Sequence, residues 1–163
     1  MLTKNFYSYM KISFTTTNTE ATFTMTNGTT ASSLLYVQNP PFKVMNSWAK
    51  TITANGVSFG TGTTQSTASD YVLESILGDT QINVSVPSGI SFNKFDTYEE
   101  YTVTFGVTNK TTEVITISEV GLTVPISGGS YALVDRTVLE TPVTIPAGQS
   151  KQITYTIRFN YGG

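Results

Sequence analysis

The stretch "YEEYTVTFGVTN", residues 98–109, sends Val103, Phe105 and Val107 to one face and Thr102, Thr104 and Thr108 to the other. That period of two is what a half-buried strand requires. Asn109-Lys110 then stands where a hairpin needs its turn, and "TEVITISEVGLTV" returns with Ile115 and Ile117 inward. A slip near Glu119 to Gly121 lets Val120 and Leu122 follow, which predicts a bulge. Ser127-Gly128-Gly129-Ser130 marks the next turn and "YALVDRTVL" the next strand. "TPVTIPAGQSKQITYTIRFNY" adds a short edge piece, a Pro-Ala-Gly turn and a long last strand, in which Ile153, Tyr155, Ile157 and Phe159 alternate with Thr154, Thr156, Arg158 and Asn160. Upstream, "INVSV" alternates before Pro87-Ser88-Gly89. Five or more short strands at about 10-residue spacing, with turn signals between them, predict an all-β chain folded as an antiparallel β-sandwich. The last strand is then structural, and its removal should unfold the domain.

Composition agrees. Of 163 residues, 39% are hydrophobic and 12% aromatic, enough for one compact core. Charged residues reach only 12%, about half the usual share. About 30 residues are Thr, a type that fits a pleated, half-wet surface and is a poor helix former.

Residues 1–55 read differently and are expected to form an N-terminal assembly arm. Leu2, Phe6, Tyr9 and Met10 keep the spacing of a short amphipathic helix. "ISFTTTNTEATFTM", the Asn27-Gly28 turn and "LLYV" predict a hairpin within Lys11 to Val37, broken by Asn39-Pro40-Pro41. In "PFKVMNSWAKTI", Phe42, Met45 and Trp48 recur every three residues. They read as a core-covering helical turn or as a partner-binding anchor, since Trp is enriched at interface hot spots. Residues 56–80 are expected to connect this arm to a sandwich over 81–163.

The connector holds "GTGTTQ" from Gly60. A dinucleotide fingerprint needs a third glycine where Gln65 stands and a βαβ unit around it, and a Walker loop needs Gly-Lys-Ser/Thr. Neither is met, so Gly60 and Gly62 are read as letting the backbone pass close to another surface. Thr67 and Asp70 make a capping-box pattern for one helical turn. Asp70 and Glu74 would then share a face, read as solvated rather than as an acid–base pair. Glu99 and Glu100 alternate across a strand and cannot act together. Asp96 with these two lacks the ligand spacing of a calcium loop. Asp135 and Arg136 point to opposite faces, so each is expected to find a cross-strand partner.

The excluded chemistry is broad. His and Cys are absent, which removes the commonest general base, the thiolate nucleophile and the usual transition-metal ligands. The reading is of no enzyme, no cofactor and no metal. A net charge of -2 with sequence pI near 5.0 gives no basic field for nucleic acid. No window approaches a membrane span, and "MLTKNFYSYMKISF" lacks a secretory signal pattern. Three sequons, at Asn27, Asn83 and Asn109, are what chance supplies in so Thr- and Ser-rich a chain.

Taken together, "MLTKNFY", "GVSFGTGTTQSTASDYVLES", "ITISEVGL" and "LVDRTVLETPVTIPAGQSKQITYTIRFNYG" resemble small β-rich virion structural proteins of tailed bacteriophages. The resemblance covers most of residues 56–163 and the first few positions. It implies an immunoglobulin-like or jelly-roll-like sandwich, present in many copies as a capsid decoration or head-fibre type component, next as a tail or baseplate subunit. The implied partners are other virion proteins and copies of the chain itself. A module binding host-surface glycan is the alternative, with Tyr7, Tyr9, Tyr98, Tyr101, Tyr131, Tyr155 and Tyr161 as core residues or as a sugar platform. The expected partner contacts are Phe6, Tyr9, Phe42, Trp48, Gly60 and Gly62.

Overall fold

The computed structural model describes residues 1–13, 20–34, 48–51, 54–85, 91–126 and 129–160. Among these residues one helix, α1 (Lys4–Ser13), precedes nine strands: β1 (Glu20–Thr24), β2 (Thr30–Leu34), β3 (Gly56–Gly60), β4 (Ile82–Val84), β5 (Ser91–Lys94), β6 (Tyr98–Asn109), β7 (Ile115–Pro125), β8 (Tyr131–Ile145) and β9 (Ser150–Asn160). The chain is mostly β, and every sheet is antiparallel. β1 and β2 form a hairpin, and β3, β7 and β8 form a sheet in that order. In the third sheet β6 is central, with β9 along one side and β4 and β5 paired with its two ends.

The alternation that predicts strand β6 holds in register. Val103, Phe105 and Val107 are buried opposite Tyr155, Ile153 and Lys151 of β9. On the outer face the hydroxyls pair across the two strands: Thr102 with Thr156 at 3.2 Å, Thr104 with Thr154 at 3.0 Å, and Thr108 with Ser150 at 2.7 Å. The high Thr content is thus spent on cross-strand ladders that need no charge. β3 is buried along its whole length, and its Phe59 meets Phe105 of β6 edge-to-face at 5.6 Å. This contact joins the two larger sheets across one apolar cluster.

Asn109-Lys110 does not close a β6–β7 hairpin. β6 pairs with β9 and β7 with β8, so residues 110–114 cross between sheets. The crossing lets both amphipathic strands bury their apolar faces in the same core, where a hairpin would put them side by side. Asn109 holds the corner. Its buried amide donates to Glu113 O (2.7 Å) and Ile145 O (2.9 Å), and its Oδ1 accepts from Thr111 N (2.8 Å). The expected slip in β7 is present as a register shift between Ile117 and Glu119, with a second between Leu122 and Thr123. Gly148, at φ 68°, makes the Pro-Ala-Gly turn into β9.

The described parts of residues 1–55 fold onto the chain's own core. α1 matches the predicted spacing, and Phe6 and Tyr9 are buried together with Ala21, Phe23 and Met25 of the hairpin region. Asn5 ties these pieces together: it donates to Thr24 O (2.7 Å) and Leu133 O (3.1 Å) and accepts from Thr24 N (2.9 Å). The predicted Asn27-Gly28 turn is present, with Gly28 at φ 82°. Residues 56–80 are not merely a connector, because they begin with a buried strand. The predicted helical turn at Thr67 is a plain turn, although Thr67 and Asp70 make the capping-box contact, Thr67 N to Asp70 Oδ2 at 3.0 Å.

Phe105→Ala removes the ring that joins the sheets and is expected to cost about 3–5 kcal/mol. Thr104→Val, on the wet face, should change stability by less than about 1 kcal/mol. Urea midpoints of the two variants check the contrast.

Candidate functional site

Among the described residues the densest polar cluster forms where β7 and β8 meet the loop that follows β3. The bulge turns Glu119 inward, and its side chain is fully buried. A carboxylate there needs donors, and it has four. Oε1 accepts from Gly62 N (3.2 Å) and Ser75 N (2.8 Å), and Oε2 from Glu74 N (3.1 Å) and Arg136 Nε (2.8 Å). Arg136, only 3% exposed, spends the rest of its fork on the same loop. Nη1 donates to Asp70 Oδ2 (2.7 Å), and Nη2 to Thr64 O (3.1 Å) and Glu74 Oε2 (3.4 Å). Glu74 in turn accepts from Thr64 N at 2.8 Å. One guanidinium thus gathers three carboxylates, two of them on the loop.

The electrostatics follow from this geometry. Burial alone would raise the Asp70 carboxyl, but hydrogen bonds from Arg136 and Thr67 outweigh it and hold its pKa below the ordinary value. Hydrogen bonds from the Thr64 amide and hydroxyl lower Glu74, with Arg136 adding to them. Burial works against the Arg136 cation, yet its bonds to Asp70 and Glu119 raise its pKa overall. Asp70, Glu74 and Arg136 are therefore all charged near neutrality. An open pocket of about 270 Å³ beside them is lined by Thr64, Ser69, Asp70, Tyr71, Val72, Glu74 and Arg136.

Asp135, the neighbour of Arg136, points to the other side of β8. It accepts from Tyr155 Oη at 2.9 Å and lies 3.0 Å from the Met1 ammonium. Burial first, and then this carboxylate, push the Tyr155 phenol well above its usual range. The segment around Met1 runs along β8, with Thr3 N to Val134 O and Arg136 N to Met1 O, both 3.0 Å. Both expected cross-strand roles thus reach further than predicted, to a loop and to the start of the chain.

The expected contact residues fall into different places. Phe6 and Tyr9 lie in the chain's own core and are not offered to a neighbour, and burial lifts the Tyr9 phenol to about 12. Trp48 is half-buried against the core and bridges Val57 in parallel, an extended contact rather than part of a helical turn. Phe42 and Met45 lie outside the described residues, as does Tyr161. Gly60 and Gly62 do let the backbone pass a crowded surface. An added Cβ would stand 2.5 and 2.6 Å from Glu119 Oε1, so what crowds them is this internal carboxylate.

Asp70 and Glu74 are not a solvated helix face, because both bind Arg136. Of the three acids weighed for calcium, Glu100 accepts from Arg158 Nε at 2.9 Å, and that bond raises the Arg158 pKa. Among the described residues no group of three or more acidic, His or Cys side chains is placed to hold a metal ion. No described helix is long and apolar enough to cross a membrane.

Two features escaped the sequence reading. One is Glu119, whose signal was a lone acid amid inward-facing apolar residues. The other is the exposure of Phe92 (67%) and Phe95 (43%) at β5 and its turn, two residues that the sequence reading did not single out. Comparison with protein families, curated proteins and solved structures finds no match to this chain.

Arg136→Leu leaves Glu119 buried without its cation and is expected to cost about 3–5 kcal/mol. Glu119→Gln with Arg136→Leu should cost less than the two single changes summed, and a double-mutant cycle measures that coupling. Acid should act through Asp70. Its folded pKa lies below the unfolded value, so its contribution is complete above the unfolded pKa, about 3.9, and is lost as pH falls through the folded one. Melting temperature should hold from pH 7 to about 5 and fall below about pH 4, and Asp70→Asn should flatten that acid limb.

Proposed function

We propose that this chain is a non-enzymatic structural component of a tailed-bacteriophage virion, present in many copies, in the first place as a capsid decoration or head-fibre type protein. Its β-strands would form an immunoglobulin-like or jelly-roll-like sandwich carrying an assembly surface. The observation that supports this reading is how the polar and apolar groups are distributed. The strongest charged cluster is turned inward, where Arg136 fastens a loop to the sheet. Phe92, the most exposed large apolar side chain among the described residues, stands on a short edge strand, with Phe95 exposed just beyond it. A protein that presents rings at a strand edge and keeps its charge for fastening is suited to packing against other proteins.

The resemblance of "GVSFGTGTTQSTASDYVLES" and of the last two strands to virion proteins supplies the particle. The expected partners are other virion proteins and further copies of the chain. A tail or baseplate position, and adhesion to a host glycan, remain the alternatives that one experiment separates.

Electron microscopy of native particles, labelled with an antibody against this chain, should show label spread over the head in many copies. Label at the tail tip would move the chain to the baseplate and bring glycan binding forward. Particles without label would overturn the virion reading.

A further inference from the structure

We infer that β5 is a self-pairing edge: the same strand of a second copy adds to it, antiparallel, across a two-fold axis centred on Asn93. The inference rests on the reading above, that the chain assembles in many copies. Among the described residues β5 pairs with β6 on one side only, and all four of its side chains are exposed. Such an edge offers an unused row of backbone donors and acceptors. It is also where a line of rings ends. Phe6 stacks on Phe159 at 6.0 Å, Phe159 meets Tyr101 at 5.8 Å, and Tyr101 meets Phe92 at 4.8 Å. The line runs from the core outward and ends on the exposed Phe92.

The chemistry of the edge selects the partner. In an antiparallel pair, directly opposite residues share a face, and a two-fold axis normal to the sheet keeps each residue on its own face. Paired residue numbers must then sum to an even number, so the axis passes through a residue and not between two. Centred on Asn93, the pairing sets Phe92 opposite the partner's Lys94, and Asn93 opposite the partner's Asn93. Within one chain Lys94 faces Glu99, and Phe92 faces Tyr101. Across the axis each row therefore reads Glu99, Lys94, the partner's Phe92, the partner's Tyr101. Every ammonium gains an aromatic neighbour across the axis, with Glu99 in register on its other side. The two amides at the centre can donate to and accept from each other. Phe92, Asn93 and Lys94 thus each meet a complementary group on the second copy, which is the isologous arrangement of a two-fold contact. So short a strand pair buries far less than a stable dimer needs, so the contact is weak alone and gains strength when many copies are held together.

Opposed residues of antiparallel strands lie about 4.5–5.5 Å apart between Cα atoms, within disulfide reach. The chain has no cysteine of its own, so single replacements read the register directly. With the purified full-length protein under mild oxidation, Asn93→Cys should form a disulfide-linked dimer at least ~10-fold faster than Lys151→Cys, an exposed site on β9. Ser91→Cys, four residues out of register with its own copy, should crosslink no faster than Lys151→Cys. Asn93→Asp, which opposes two carboxylates, should abolish self-association measured by sedimentation at high concentration, with melting unchanged. Asn93→Cys crosslinking no faster than Lys151→Cys, or Ser91→Cys matching it, would overturn the pairing. The virion reading is judged separately by particle labelling. Chains that label particles but fail to crosslink at residue 93 sink only the edge contact, and chains that crosslink but label no particle keep the edge and sink the virion reading.

Discussion

A carboxylate with no solvent contact organises this molecule. Removing Glu119 from water costs several kcal/mol unless donors replace the water. The backbone supplies three of them, from Gly62, Glu74 and Ser75, and Arg136 supplies the fourth. These donors reach the carboxylate only if the chain from Gly60 to Ser75 wraps over the β7–β8 pair. That wrapping explains why the glycines cannot carry a Cβ, and why Asp70 and Glu74 stand where Arg136 can bind them. This loop lies in the stretch, residues 56–80, expected to be only a connector between arm and sandwich. It supplies most of the satisfaction of a buried charge, and cutting it away strands that charge.

The sheets follow from a different constraint. β6 and β9 bury an alternating set of residues, β7 and β8 bury longer continuous runs, and all four reach one apolar cluster although they divide between two sheets. Residues 110–114 make that division, and Asn109 satisfies the backbone at the corner. The outer faces then need polar groups that tolerate the pleat. Thr meets both needs, since its branched carbon suits the strand and its hydroxyl finds another across the ladder.

What was legible in the sequence is what depends on period and turn chemistry. The alternation of Val103, Phe105 and Val107, the slip before Val120, the Asn27-Gly28 turn and the helical spacing of Phe6 and Tyr9 were all readable, because each is set within a dozen residues. Partner choice between strands was not. Asn109-Lys110 looks locally like a hairpin turn, and only the competition for the core decides that β6 pairs with β9. The same holds for the charged cluster. Asp70, Glu74, Glu119 and Arg136 are up to 66 residues apart, and no spacing rule links them. Local pattern also gave no sign that Phe92 and Phe95 would be exposed. They stand in a strand and its turn, but that strand is the sheet's edge, and edge position is a property of the whole topology.

The distribution of charge bears on how the surface meets neighbours. The chain has nine basic and eleven acidic residues, and one of the first and three of the second are committed to a single internal fastening. The outer faces consequently rely on hydroxyl ladders, which repel nothing. Proteins that keep a strand edge solitary set an unpaired charge on it. Lys94 is the only cation on β5, and it stands directly opposite Glu99 in its own sheet. An acid in register beside it lowers the net charge of that edge, and the guard it would provide is weakened. An edge with one lysine set beside a cross-strand acid, an amide at its centre and an exposed ring beside them is weakly defended against pairing. In a chain so sparing of surface charge, the edge is where association is least opposed.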